Sequence, residues 1–135
     1  PVQVDKTIPR QEKPHTVLLV DDEKIVAQTG AAMLKKIGCD LLVAGNAEAA
    51  LETFTAHREK VKLVLLDMII PGASGEQLFR KLKAIDPHVH IILCSGYSIH
   101  GEASRIMAQG CDGFLQKPFS PEKLTAKIGE IIDRN

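Results

Sequence analysis

Polar groups able to do chemistry stand at four comparable places in this chain, each directly after an apolar run. Asp21-Asp22 follow residues 17–20, Asp67 follows 61–66, Ser95 follows 91–94 and Lys117 follows the run ending at Gln116. If the first and third runs lie side by side, Asp21, Asp22 and Asp67 crowd one pocket. Two carboxylates about 4 Å apart repel by roughly 1 kcal/mol in water and about 4 kcal/mol at a partly buried site. Such a pocket wants a cation. Oxygen-only ligands with no His or Cys nearby suit a hard ion that keeps several waters, which is Mg²⁺ in a cell, with Mn²⁺ able to substitute. Lys117 supplies a second positive charge. With both in place, a carboxylate can attack phosphorus and hold a phosphoryl group as an acyl phosphate. Phosphoryl transfer asks mainly for positioning and for neutralisation of the non-bridging oxygens. The ion, the Lys117 ammonium and the Ser95 hydroxyl can each take one oxygen, and Asp67, alone at the end of its run, is the expected nucleophile.

Each residue also has a plainer reading. Asp21-Asp22 can cap a helix, Ser95 can simply end a strand, and Lys117 can be a solvated turn residue before Pro118. What favours a shared site is the set of elements that would carry them. Residues 63–66 have no polar face, so they read as a strand buried on both sides, as in parallel sheets covered by helices. Strands are predicted at 16–20, 40–44, 61–66, 90–94 and 112–116. Between them run helical patterns. Ile25, Val26, Ala32, Met33, Leu34 and Ile37 recur at helical spacing and Gly38 closes that helix. Asn46 can cap a helix carrying Ala47, Ala50, Leu51 and Phe54. Ser74 can cap one carrying Leu78, Phe79, Leu82 and Ile85, which Asp86-Pro87 ends. Residues 99–109 form a weaker pattern stopped by Gly110. Ser120 caps the last helix, with Pro121 in its first turn and a stripe of Leu124, Ile128, Ile131 and Ile132. Five alternations of strand and helix predict an α/β fold, a parallel sheet with helices on both faces and right-handed connections. In such folds ligands gather beyond the carboxyl ends of the strands near the switch in strand order. All four polar sites fall there.

Size and composition set the limits. At 135 residues the chain makes about one domain, able to bury roughly two-thirds of its unfolded surface. Its 44% hydrophobic and 25% charged residues are an ordinary globular balance, and its apolar runs are far too short to span a bilayer. No membrane contact and no signal peptide are expected. Lys plus Arg (17) equals Asp plus Glu (17), and no basic helix appears, so nucleic acid is not expected as a direct partner. Cys39, Cys94 and Cys111 are odd in number and lack metal-ligand spacing. They read as reduced core thiols of a cytoplasmic protein. Residues 1–14 are polar and Pro-containing with no sustained period, which reads as a flexible linker ahead of a domain at 15–135.

The segments LLVDDE (18–23), LLDMIIPGASG (65–75), ILCSGYS (92–98) and FLQKPFS (114–120) occur in this order, and through them the chain resembles the receiver domain of two-component signalling. That module is the phosphoacceptor of response regulators and hybrid histidine kinases. The resemblance covers residue 16 to the C-terminus. It implies a flavodoxin-like, doubly wound (βα)5 three-layer sandwich with strand order 2-1-3-4-5. It implies that Asp67 is the phosphoacceptor, Asp22 a direct Mg²⁺ ligand, Asp21 a ligand directly or through water, and the backbone carbonyl of Ile69 a further ligand. Ser95 and Lys117 are then expected to bind the phosphoryl group, and the Lys117-Pro118 bond to be cis. Phe114 takes the place of the aromatic switch residue, turning inward when Ser95 moves and so reshaping the face of the fourth helix, fifth strand and fifth helix. The implied phosphodonor is a histidine kinase or histidine phosphotransfer domain, which can lie in the same polypeptide, and a phosphorylation-dependent dimer is a further implied partner. The domain would be cytoplasmic, or the cytoplasmic part of a membrane-bound sensor kinase. The start at Pro1 and the style of ILCSGYS and FLQKPFS suggest a receiver excised from a hybrid kinase, against a stand-alone receiver.

Departures from the commoner pattern matter too. Ile69 and Tyr97, two residues after Asp67 and Ser95, are bulky where the family's hydrolysing water passes, which predicts a long-lived phosphoryl state. Phe114 lacks the hydroxyl of the frequent Tyr. Among rival readings, a flavodoxin-like electron carrier needs a hydroxyl- and Gly-rich phosphate loop after the first strand, where this chain has two carboxylates that repel phosphate. A phosphatase with an Asp nucleophile would want a second Asp at the place of Ile69. The alternative that remains is an interaction module with the same fold that works without phosphorylation.

Overall fold

The computed structural model describes residues 15–96 and 101–132. The apolar runs form the strands β1 (Thr16–Val20), β2 (Asp40–Ala44), β3 (Val61–Asp67), β4 (His90–Ser95) and β5 (Gly113–Gln116) of one sheet. Their order is β2-β1-β3-β4-β5 and every pairing is parallel, as expected. Between and after them lie α1 (Lys24–Lys36), α2 (Ala47–His57), α3 (Gly75–Ile85), α4 (Glu102–Ala108) and α5 (Pro121–Ile132). The fold is the flavodoxin-like three-layer sandwich.

The absence of a polar face on the strands has a direct structural cause. Leu18, Val20, Val64, Leu66, Ile91 and Leu93 point to one side and pack with Ala50 and Phe54 of α2, Leu78 and Leu82 of α3, and Ile106 of α4. Their neighbours Val17, Leu19, Leu63, Leu65 and Ile92 point to the other side and meet Leu34 of α1 and Leu124, Ile128 and Ile131 of α5. Alternation along each strand therefore feeds two cores, one per face. Local signals set the helix ends. Asn46 accepts from the N–H of Ala49 at 2.7 Å, Ser74 and Gln77 form a reciprocal capping box, and Ser120 accepts from the N–H of Lys123 at 3.1 Å.

Two features go beyond the sequence reading. The apolar pattern of α1 is covered along only part of its width. Leu34 is buried, whereas Ile25 is 77% exposed and Ile37 37% exposed. Residues 69–70 and 73–74 pair as a two-stranded antiparallel ribbon. Its bend is Pro71-Gly72, with Gly72 at φ 104°, a conformation that favours glycine, and the Pro71 carbonyl accepts from the N–H of Ala47 at 2.9 Å. The fourth helix is described over Glu102–Ala108, so the start expected at residue 99 lies outside the described residues, as do Tyr97, the linker expected at 1–14 and the Ile132 side chain. That short helix buries only Ala103 and Ile106, and its docking on α3 is completed by polar contacts. Glu76 accepts from Arg80, Arg105 and Gln109, while Glu102 accepts from the Glu76 N–H.

No helix among the described residues is long and apolar enough to cross a membrane. All three cysteines are unpaired and buried. Burial raises the pKa of each thiol, and pushes that of Cys94 up to about 12. The thiolate is the reactive form, so Cys39, Cys94 and Cys111 are expected to resist a thiol reagent such as DTNB at pH 8 in the native protein. All three should react when guanidinium is added, and immediate release of one equivalent of thionitrobenzoate from the folded protein would contradict this.

Candidate functional site

The site lies where β1, β3, β4 and β5 end on the same edge of the sheet. Because the strands are parallel and in register over their last residues, the side chains just beyond them emerge at one height. Backbone bonds beyond the strands hold these ends together. The Met68 N–H donates to the Cys94 carbonyl at 3.0 Å, the Lys117 N–H to the Ser95 carbonyl at 2.6 Å and the Asp21 N–H to the Ala44 carbonyl at 3.0 Å.

The three aspartates expected to cluster do so. Asp21, Asp22 and Asp67 each offer a carboxylate oxygen within 4.8 Å of the others. Asp21 and Asp67 are buried, and Asp22 is exposed toward solvent. Lys117 reaches across from β5, its ammonium 2.8 Å from Oδ2 of Asp21 and 3.1 Å from Oδ2 of Asp67. The remaining oxygens are held by backbone. Oδ1 of Asp21 accepts from the Glu23 N–H at 2.9 Å, and Oδ1 of Asp67 from the Ile69 N–H at 3.3 Å. Ser95 is buried at the end of β4, and the peptide bond between Lys117 and Pro118 is cis.

Electrostatics follow from this packing. Burial, the largest influence, raises the pKa of Asp67, and the like charge of Asp21 raises it further. The Lys117 ammonium and the Ile69 N–H offset only part of that. For Lys117, burial alone would lower the pKa. The hydrogen bond to Asp21 and the negative charges of Asp67 and Asp21 outweigh it, so the ammonium is held well above its ordinary range. Ionisation of Asp67 thus carries a cost that additional positive charge would relieve. Among the described residues the donor set is all oxygen, with no His or Cys in the group, and it fits a hard divalent ion of the Mg²⁺ type.

Ile69 projects its side chain into solvent, 68% exposed, beside this cluster. Phe114, on β5 opposite Leu93, is half-buried and packs on the core shared with α2, α3 and α4. One residue near the site was not singled out from the sequence. Glu23 Oε1 lies 3.5 Å from the Lys117 ammonium. The available signal was that Glu23 is the third consecutive acid of the DDE run, and spacing alone does not tell a rim residue from the first turn of a helix.

The family model of the response regulator receiver domain matches residues 17–129. The chain is 33% identical over 119 residues to the sensor kinase CckA of Brucella abortus, covering 88% of this chain and 13% of that kinase. It spans about half the length of transcriptional regulators that it also matches. Among solved structures, a response regulator receiver domain protein from Clostridium thermocellum superposes with a TM-score of 0.80 at 29% identity, over 89% of this chain and 95% of that one. The receiver domain of the sensor histidine kinase PA1611 from Pseudomonas aeruginosa superposes with a TM-score of 0.78 at 23% identity, over 89% and 98%. That structure holds a magnesium ion in its active site cleft.

Proposed function

We propose, since this chain belongs to the response regulator receiver domain family of two-component signalling, that Asp67 is the residue on which it carries the phosphoryl group. The observation that carries this reading is the Lys117 ammonium resting on Asp67 and Asp21 at once, with Asp22 close enough to complete a cation site. Asp21, Asp22, Asp67 and the Ile69 carbonyl would hold Mg²⁺, or Mn²⁺ in its place. The ion supplies positive charge for one phosphoryl oxygen. The magnesium of the PA1611 receiver supports the assignment.

The step is an in-line displacement on phosphorus. A carboxylate oxygen of Asp67 forms the new P–O bond as the N–P bond to the donor imidazole breaks and leaves its electron pair on that nitrogen. Lys117 gives up part of its hold on Asp67 to meet a phosphoryl oxygen, while Asp21 keeps the ammonium in the site. The Ser95 hydroxyl donates to another oxygen. Phe114 would answer the movement of Ser95 and alter the α4, β5 and α5 face, on which a phosphorylation-dependent dimer could form. The donor is a histidine kinase or a histidine phosphotransfer domain, and the match to CckA supports a receiver joined to a kinase. Residues 15–135 would form the receiver and 1–14 its linker, on the cytoplasmic side of the membrane. An interaction module independent of phosphorylation is not favoured, because all five site positions hold competent side chains.

Incubation with a small phosphodonor and Mg²⁺, followed by intact mass, tests the reading. One phosphoryl group is expected, and none when EDTA removes the ion. Ion binding should also depend on pH in a fixed direction. The folded-state pKa of Asp67 is raised, so protons compete with the ion as pH falls toward it. The Mg²⁺-induced rise in Tm should be full near pH 8 and shrink on acidification. A Tm shift that grows on acidification would contradict this.

The exposed Ile69 offers no polar group to orient an attacking water, so the phosphoryl group should persist. Replacing Ile69 by Asn should shorten its lifetime severalfold in a mass-spectrometric time course. An unchanged lifetime would remove Ile69 from the account.

A further inference from the structure

We infer that Glu23 selects among phosphodonors by placing an uncancelled negative charge at the mouth of the site. The inference rests on the phosphoacceptor reading above. Asp21, Asp22 and Asp67 carry three negative charges, and a divalent ion with Lys117 supplies three positive ones, so the inner site balances. Glu23 lies outside the group close enough to share an ion, and its charge remains.

Its position makes that charge visible to an incoming molecule. The Glu23 side chain is 63% exposed, against 1% for Asp21 and 8% for Asp67. It lines a cavity of about 440 Å³ beside the site, between α1 and the segment after β5. Among the described residues of that lining Glu23 is the one acid and Lys117 the one base, and the rest includes Ile25, Met33 and Phe119. Glu23 precedes α1 and makes no side-chain capping hydrogen bond to it, so its carboxylate is not tied down at the helix start. The 3.5 Å contact to Lys117 puts the charge beside the ammonium that a phosphoryl group has to meet.

A small acyl phosphate reaches the site as an anion with nothing to offset Glu23. Its encounter is therefore disfavoured, in the way that like charges across an approach slow association. A protein donor can bring a cation opposite Glu23 and turn the same charge into an attraction. Glu23 thus acts as a specificity-determining residue that disfavours free anionic donors.

The test uses acetyl phosphate with saturating Mg²⁺. In the reaction Asp67 forms the P–O bond while acetate leaves with the bonding pair. Initial rates for the wild type, Glu23→Gln and Glu23→Lys are read by intact mass at low and high salt. At low ionic strength Glu23→Gln should react severalfold faster than the wild type and Glu23→Lys faster still. The differences should fade once the Debye length falls to about 3 Å near 1 M salt. Equal rates at low salt, a slower Glu23→Gln, or a rate difference indifferent to salt would each overturn the inference. A wild type that takes up no phosphoryl group at all would instead overturn the phosphoacceptor reading.

Discussion

Asp67→Asn is expected to abolish phosphoryl uptake from any donor while leaving the protein folded and at least as stable as the wild type without Mg²⁺. The chemical half of the expectation is simple, since a neutral carboxamide oxygen is a poor nucleophile toward phosphorus and its product would not persist as an acyl phosphate. The stability half comes from the packing. Burial and the charge of Asp21 raise the pKa of Asp67 beyond what Lys117 and the Ile69 N–H recover. A raised folded-state pKa means that ionisation of Asp67 costs stability as pH rises through that value. Asn keeps the shape and removes the charge, so the cost disappears. Intact mass after incubation with acetyl phosphate reads the first effect and urea unfolding at pH 7 the second. A phosphoryl group that survives the substitution would show that another residue is the acceptor. A large loss of stability would show that the carboxylate is structurally required.

Lys117→Met should give the largest loss of stability of any single change at the site. Methionine keeps the aliphatic stem, so the effect isolates the ammonium; the Lys117 side chain is 15% exposed and its ammonium touches the carboxylates of Asp21 and Asp67, side chains exposed by 1% and 8%. Removing one partner of a buried pair leaves uncompensated charge and costs about 3–5 kcal/mol. The lower part of that range is expected, because Asp22 and Glu23 open the site to water. Two dependences distinguish this cause from poor packing. Mg²⁺ should restore much of the loss, since a bound ion would supply positive charge to the same carboxylates. Acidification should narrow the gap to the wild type, because without Lys117 the pKa of Asp67 rises further and its protonation relieves the repulsion at higher pH. Denaturant unfolding at several pH values, with and without Mg²⁺, measures both. A loss indifferent to both would point to packing. Phosphorylation should fall as well, because a phosphoryl oxygen loses its cationic partner.

These expectations depend on contacts of different legibility. The strands could be read because burial on both faces removes every polar side chain between Leu63 and Leu66, and that is visible in four letters. Helix ends could be read where one side chain meets the backbone three residues on, as at Asn46, Ser74 and Ser120. The gathering of Asp21, Asp67, Ser95 and Lys117 at one edge followed from parallel strands, which deliver the residue after each strand to the same side. The stripe of α1 was less legible, because helical spacing shows which residues share a face and not how much of that face a neighbour covers. Ile25 and Leu34 carry the same apolar signal, yet one is exposed and the other is buried.

By itself, then, the sequence determined the order of strands and helices, the two-faced burial of the sheet and the residue type at each strand end. All of these rest on interactions within a few residues or on a repeating period. Only the tertiary structure decided that the Lys117 ammonium bridges Asp21 and Asp67, that Glu23 stands at the rim, that residues 69–74 fold into a ribbon against α2 and that Glu76 ties α3 to α4. Such pairings join residues far apart in the chain through distances of a few ångströms, and distances of that size are set by how whole helices and strands pack, which no local pattern of side chains encodes.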